Sequence, residues 1–520
     1  MDAWTWQLAS IFVLVLAAFV RLYALELNPL HHDEGVNGFF LINLINNGVY
    51  KYDPANYHGP TLYYFALVMA KFLKAFGFGL STYAIRLVPV MFGVASVWLI
   101  LCLRRRIGSM GALAGAALVA LSPGAVYMSR YFIHESLFVF FTLGIVVAWL
   151  QYYDHANPVY LLLAAISAAL LFATKETAMI SAGVLLIALV LSDLYARLKK
   201  NPLAETRAED QRRQNKNRAR NTPMDSSGEI LERFGGAGSV GIWALAAILL
   251  FVCVYILFYS SFFTHPQGLN DSLKTFQIWA RTGKKDHVHE WNTYLSWMRD
   301  EEAMLLALGA AGVLLALPYA RRRFPIFAAL WACGIIAAYS LIPYKTPWLT
   351  LNFIIPLAII GGYGVDVLYR LAADNSALRA LVLALLLAAL VVSGYQMFQL
   401  NFRHYDDEQY IYPYAHTVRE FLPLVEQINR FAVHARTGRQ TAISITSPDY
   451  WPLPWYLRDY TRVGYPGRIE VSDEPLVIGS EAQEIELQSV LGNRYQRIDF
   501  YTLRPGVTLV LYVRRDLMER

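Results

Sequence analysis

Through residues 1–400 apolar side chains run unbroken over lengths that cross a membrane, without the alternation of a half-buried strand. A bilayer core asks for about 20 apolar residues per helix. Such runs stand at 6–26, 83–103, 110–128, 136–153, 158–174, 177–195, 240–260, 303–320, 324–342, 349–370 and 379–399. They predict a polytopic α-helical membrane protein of about eleven spans. The stretch "PTLYYFALVMAKFLKAFGF" carries Lys71 and Lys74 among its apolar residues and reads as an interfacial helix of a large first loop. The first run has no basic stretch before it and no small-residue cleavage pattern after it, so it is read as a retained helix.

After Asn401 the pattern changes. "HTVREFLPLVEQINRFAVHAR" has the one-sided spacing of a helix; "TAISIT", "PLVIGS", "RIDFYTL" and "VTLVLYV" predict strands, and "EAQEIELQSVL" a further helix. A membrane domain over 1–400 and a small soluble α/β domain over 401–520 are the expected organisation. No internal repeat is visible, which argues against a transporter built from two related halves.

Charge matters here by position. Only 16% of the 520 residues are charged and the net charge is +6, which makes no case for nucleic acid. "RRR" at 104–106, "RRR" at 321–323 and the basic, aromatic-poor segment 196–238 all fall on one side of the membrane. The positive-inside rule makes that side cytoplasmic, with the N-terminus, and makes 196–238 a cytoplasmic linker. The C-terminal domain is then outside. Cys102, Cys253 and Cys333 lie inside apolar runs at unrelated spacings, as small core hydrophobes rather than a disulfide or zinc framework.

The outer face gathers the residues with chemistry. "HHDEG" follows the first span and sets Asp33 and Glu34 side by side. Helix neighbours point about 100° apart at 3.6 residues per turn, so one of them at most faces a given reacting atom; the alternative reading is an acidic helix start capped by Asp33. "YKYDPANYHGP" offers Tyr52, Asp53, Tyr57 and His58 in a loop where Asp53 also fits an Asx turn. "YMSRYFIHES" brings Arg130, His134 and Glu135; if helical, Arg130 and His134 share a face. Lys175 and Glu176 of "FATKETA" interrupt one long apolar run, and ionisable groups at membrane depth mark function or a tight hairpin. Lys345 and Trp348 of "PYKTPWL" suit a phosphate and a sugar face, or an aromatic-belt turn with a snorkelling lysine. His287 and His289 lie at i and i+2, a spacing open to a metal but without a clear third ligand.

Carboxylates and lysines at one face suit a substrate with a lipid tail and a phosphate near the headgroup plane. Sugar transfer from a polyprenyl phosphate has this shape: the phosphate already leaves well, so one base and some cations suffice. "DEG", "YDPANYHGPTLYY", "RLVPVMFG", "SPGAVYMSRYFIHES", "LLFATKETA" and "PYKTPWL" together resemble the GT-C-fold glycosyltransferases related to protein O-mannosyltransferases and the aminoarabinose transferase of lipid A. The resemblance is nearest to the branch called flippase-activity-associated and covers nearly the whole membrane part. It implies a lipid-linked sugar donor, a catalytic base at Asp33 with Glu34 beside it, a second acid at Glu135, and lipid phosphate met by Lys175 and Lys345. His134 stands where the family more often has another basic residue. A lipid-linked glycan flippase and a non-catalytic scaffold are the rival readings; a flippase should carry its polar groups at mid-membrane in broken helices.

Overall fold

The computed structural model describes residues 1–56, 58–198, 232–282, 287–320, 323–470 and 473–518. Tyr57, Arg321, Arg322 and most of the expected linker lie outside the described residues. Among the described residues sixteen α-helices of seven residues or more form the membrane part: α1 (Ala3–Leu22), α2 (His32–Asn47), α3 (Thr61–Ala75), α4 (Thr82–Cys102), α5 (Ser109–Leu121), α6 (Pro123–Ser129), α7 (Glu135–His155), α8 (Pro158–Phe172), α9 (Ala178–Leu198), α10 (Gly236–Tyr259), α11 (Gln267–Thr282), α12 (Thr293–Glu301), α13 (Ala303–Tyr319), α14 (Arg323–Leu341), α15 (Leu351–Leu371) and α16 (Ser376–Phe398).

Every apolar run read from the sequence is helical. Among the described residues eight helices are long and apolar enough to cross a membrane; α5 with α6 and α12 with α13 are bent pairs, by 62° and 114°, and α8 is shorter. The chain is a multi-pass membrane protein. The flanks of α10 expose Leu245, Ile248 and Leu249, the side chains a lipid phase would cover.

Both bends have local causes, and one residue joins them. Ser122 caps α6, its Oγ accepting from Ala125 N at 3.1 Å, and Pro123 takes the first helical position where no N–H is needed. Glu302, at the bend between α12 and α13, accepts from Ser122 Oγ at 2.6 Å and from Gly124 N at 2.8 Å.

α15 is the hub, buried over almost its whole length between α5 and α13. Glycines let the backbones touch. A Cβ on Gly362 would stand 2.2 Å from Gly111 O, and one on Gly312 would stand 2.0 Å from Ile360 O. α3 buries Leu62, Tyr63 and Tyr64 in its first turns and leaves Lys71, Phe72 and Lys74 exposed, as its one-sided pattern predicts.

Beyond α16 the chain builds a five-stranded sheet from β1 (Ile443–Ile445), β2 (Val463–Gly464), β3 (Leu476–Ser480), β4 (Tyr495–Arg504) and β5 (Val507–Arg514), in the order β2-β1-β3-β5-β4. β1 pairs in parallel with β2 and β3; β5 runs antiparallel between β3 and β4. Strand alternation divides the side chains between two cores. Leu476, Ile478 and Leu511 pack with Leu424 and Ile428 of helix α17 (Leu422–His434). Val477, Val510 and Tyr512 pack with Leu487 and Leu491 of helix α18 (Glu484–Leu491). The four expected strands are present; the two-residue edge strand β2 carries no pattern long enough to read.

Candidate active site

The turn between α1 and α2 separates the two neighbouring acids. His31, not Asp33, is the N-cap of α2: its Nδ1 accepts from Asp33 N at 3.0 Å, and Glu34 returns the bond by accepting from His31 N at 3.1 Å. With Nδ1 an acceptor, Nε2 carries the proton and donates to Tyr414 O at 3.1 Å.

Glu34 is wholly buried and fully used. It accepts from Arg86 Nε at 2.8 Å, Arg86 Nη2 at 2.7 Å and Phe132 N at 2.8 Å, besides His31 N. Arg86 spends its other donors on the carbonyls of Leu25, Asn28 and Pro29, at 2.9 to 3.2 Å. Burial alone would raise the Glu34 carboxyl; the Arg86 guanidinium beside it reverses this and holds it below its ordinary range. Glu34, expected beside the catalytic base, is the buried half of an ion pair that shapes the loop. Asp33, one residue earlier, leaves 40% of its side chain exposed, with the neutral His31 ring next to it, Nδ1 at 3.9 Å.

A second cluster joins the first loop to the α8–α9 turn. Gly59 N donates to Thr174 O at 3.0 Å, so close that a Cβ on Gly59 would stand 2.1 Å from Ala173 O. This strip brings His58 Nδ1 to 3.4 Å from Glu176 and lets His134 Nε2 donate to Gly59 O at 3.1 Å. Lys175 Nζ donates to Glu135 at 2.5 Å. Burial would lower Lys175, but Glu135 and Glu176 more than offset it, so the ammonium is held above its ordinary range. Arg130 does not share a helix face with His134, because the helix stops at Ser129 and resumes at Glu135. It turns back to the end of α1 and donates to Tyr23 O at 2.6 Å and Ala24 O at 2.7 Å. Asp53 is exposed and accepts from Ala55 N at 2.9 Å, the Asx-turn geometry.

The third cluster is the α14–α15 turn. Lys345 is buried and donates to the carbonyls of Ser340 at 3.0 Å and Ile342 at 2.5 Å, with its Nζ 5.5 Å from the Tyr294 ring centre. Burial lowers its pKa from the ordinary lysine value. Trp348 is half-buried, its ring 6.3 Å from Tyr414.

Residues that sequence reading did not single out link the three clusters. Tyr344 lies within electrostatic reach of Lys175, Asp33, Glu176 and Glu135, and burial pushes its phenol up to about 12. Tyr414 accepts from His31 through its carbonyl, and its hydroxyl meets His287 Nδ1 at 2.9 Å. Arg86 was legible in principle, as a lone charge inside an apolar run, by the rule that exposed Lys175. Tyr414 and His416 belong to the segment after α16 and carry no local signal. Among the described residues no group of three or more His, Cys, Asp or Glu is arranged to hold a metal ion.

The C-terminal part sits directly on α2. A Cβ on Gly35 would fall 2.6 Å from Pro452 Cβ, and one on Gly38 would fall 2.5 Å from the Trp455 ring. Trp455 is fully buried there, its Nε1 donating to Thr82 Oγ1 at 3.2 Å. Trp451 stays half-buried beside His32, ring centres 6.2 Å apart.

One prediction arises from this junction. His31 and His416 are buried with ring centres 5.3 Å apart, and burial and their mutual repulsion hold His31 below 6.5; burial does the same for His416. Because these pKa values are depressed on folding, the unfolded chain binds more protons below about 6.5, and stability present above that pH is lost as pH falls through it. Hydrogen exchange at 405–418 should therefore quicken between about pH 6.5 and 5, and His416→Phe should flatten that dependence.

Residues 58–208 match the family model for dolichyl-phosphate-mannose-protein mannosyltransferase. ArnT from Cupriavidus metallidurans in the apo state superposes with a TM-score of 0.62 at 14% identity, covering 98% of each chain. The same protein bound to undecaprenyl phosphate gives 0.58 at 14%, again over 98% of each chain. The Archaeoglobus fulgidus oligosaccharyltransferase in the apo form gives 0.54 at 14%, over 96% of this chain and 74% of that one. No curated protein sequence matches this chain. The fold is the one these membrane glycosyltransferases share, the GT-C fold.

Proposed function

We propose that this protein is a membrane glycosyltransferase that moves a sugar from a polyprenyl-phosphate donor to an acceptor hydroxyl at the extracytoplasmic face. The observation that carries the reading is the contrast at one helix start: Glu34 has every lone pair engaged, while Asp33 is half-open and, among the described residues, has no Lys or Arg paired with it. In the reaction the acceptor oxygen forms a bond to the sugar's anomeric carbon as the bond from that carbon to the phosphate breaks. Asp33 takes the acceptor proton, and the departing phosphate carries away the electron pair. Lys345, a buried cation held by carbonyls and without a carboxylate partner among the described residues, meets that phosphate in this reading. Lys175 is neutralised by Glu135 and fixes the turn beside it. Arg130 and Glu34 hold the loop; His58, His134 and Glu176 line its far side.

The family model, the bound undecaprenyl phosphate in ArnT and the collection of ionisable groups at one end of the bundle support this reading over a flippase. The positive-inside argument supports placing that end, and the part after Asn401, outside the cytoplasm. Half-buried Trp451, next to the helix that carries Asp33, supports a role for that part in acceptor binding.

The test is sugar transfer by purified full-length protein from a radiolabelled polyprenyl-phosphate sugar to cell-envelope extract. Release of free polyprenyl phosphate with label in the acceptor is expected; movement of intact labelled donor across proteoliposomes without transfer would favour the flippase. Lys345→Ala should weaken donor binding about tenfold or more, the loss of one charge-assisted contact. Unchanged donor affinity would leave Lys345 as a belt residue.

A further inference from the structure

At the end of the bundle opposite Asp33 the helices line a half-open cavity of about 770 Å³. It opens among the start of α1, the turn between α4 and α5, the end of α13, the start of α14 and the end of α15. Arg105, Arg106 and Arg370 stand in its wall together with Ser109 and Tyr369, and among the described lining residues the one carboxylate is Asp366.

The wall is built around that acid. Gly108 takes a φ of +86°, and a Cβ there would lie 2.1 Å from Asp366 Oδ1, so the α4–α5 turn is moulded onto the carboxylate. Arg370 meets Asp366 through Nε at 2.7 Å, and Arg106 meets Asp154 through Nη2. Each of these guanidiniums is thus fixed along one edge while carrying further N–H donors. A cavity of this size is that of a small-molecule site. Its position at the ends of membrane-crossing helices is the depth of lipid headgroups, where basic pockets between helices take anionic heads.

We propose that this cavity binds the phosphate group of an anionic membrane lipid, which ties α1, the α4–α5 turn, α14 and α15 together at the face opposite the candidate active site. Arginine suits the task because its planar fork matches phosphate oxygens in pairs. The site is separate from the transfer chemistry and stands whatever reaction the other face performs.

Native mass spectrometry of the purified full-length protein tests it, with phosphatidylglycerol, phosphatidylcholine and inorganic phosphate as probes. Phosphatidylglycerol should be retained over phosphatidylcholine, less so at high salt. Arg105→Gln should weaken that retention about fivefold, the worth of one arginine at a charged headgroup. Arg370→Gln combined with Asp366→Asn, which leaves no unpaired charge, should add a similar loss. Thr5→Trp, which narrows the cavity without touching a charge, should displace the same lipid and serves if the charge variants do not fold. Equal retention of the two lipids by the unaltered protein, or retention untouched by Thr5→Trp and Arg105→Gln, would overturn the proposal. Binding of inorganic phosphate without any preference between lipids would overturn the lipid assignment and leave a soluble-phosphate site.

Discussion

Asp33→Asn is expected to slow sugar transfer by about two to four orders of magnitude, the usual worth of a positioned general base, while insertion, folding and donor binding persist. The amide has nearly the shape of the carboxylate but cannot take the acceptor proton. Little structure depends on the charge: the Asp33 side chain is 40% exposed, and its part in the α2 cap is its backbone N–H, which asparagine keeps. Kinetics should show the loss in turnover, with donor affinity changed little. If Asp33→Asn transfers at the normal rate while a folded Glu34→Gln does not, the base is the neighbouring residue. If both transfer normally, the chemistry lies elsewhere.

Arg86→Met should have the largest effect on stability. It would leave Glu34 charged, fully buried and without its cation, and breaking a buried pair in this way costs about 3–5 kcal/mol. That is a large share of the roughly 5–15 kcal/mol by which a domain is stable. It would also orphan the carbonyls of Leu25, Asn28 and Pro29, which set the path from α1 to Asp33. Adding Glu34→Gln removes the stranded charge while its amide oxygen still serves the N–H of Phe132 or His31, so the double variant should be more stable than Arg86→Met alone. Thermal unfolding in detergent would show it. A double variant as unstable as the single one would mean that the carbonyl contacts, not the buried charge, dominate.

Much of the architecture is a property of the sequence, because the cost of unsatisfied backbone in lipid forces long apolar runs into helices whatever their neighbours. All eleven runs and the four longer strands follow from that rule and from side-chain alternation alone. The clustering of Asp33, Glu135, Lys175 and Lys345 toward one end was legible for the same reason: these charges stand where apolar runs start or stop, at helix ends and turns. What the sequence left open was which of these groups are free. Asp33 and Glu34 are alike as a pair of letters; only the arrival of Arg86 from α4 and Phe132 from the α6–α7 turn saturates one and spares the other. Trp451 and Trp455 diverge likewise: Gly38 of α2 seats the second ring closely enough to bury it, while the first packs more loosely by Gly35 and His32 and stays half-buried. Hydropathy and spacing act along the chain, whereas hydrogen-bond saturation depends on partners tens to hundreds of residues away, and those the tertiary fold alone supplies.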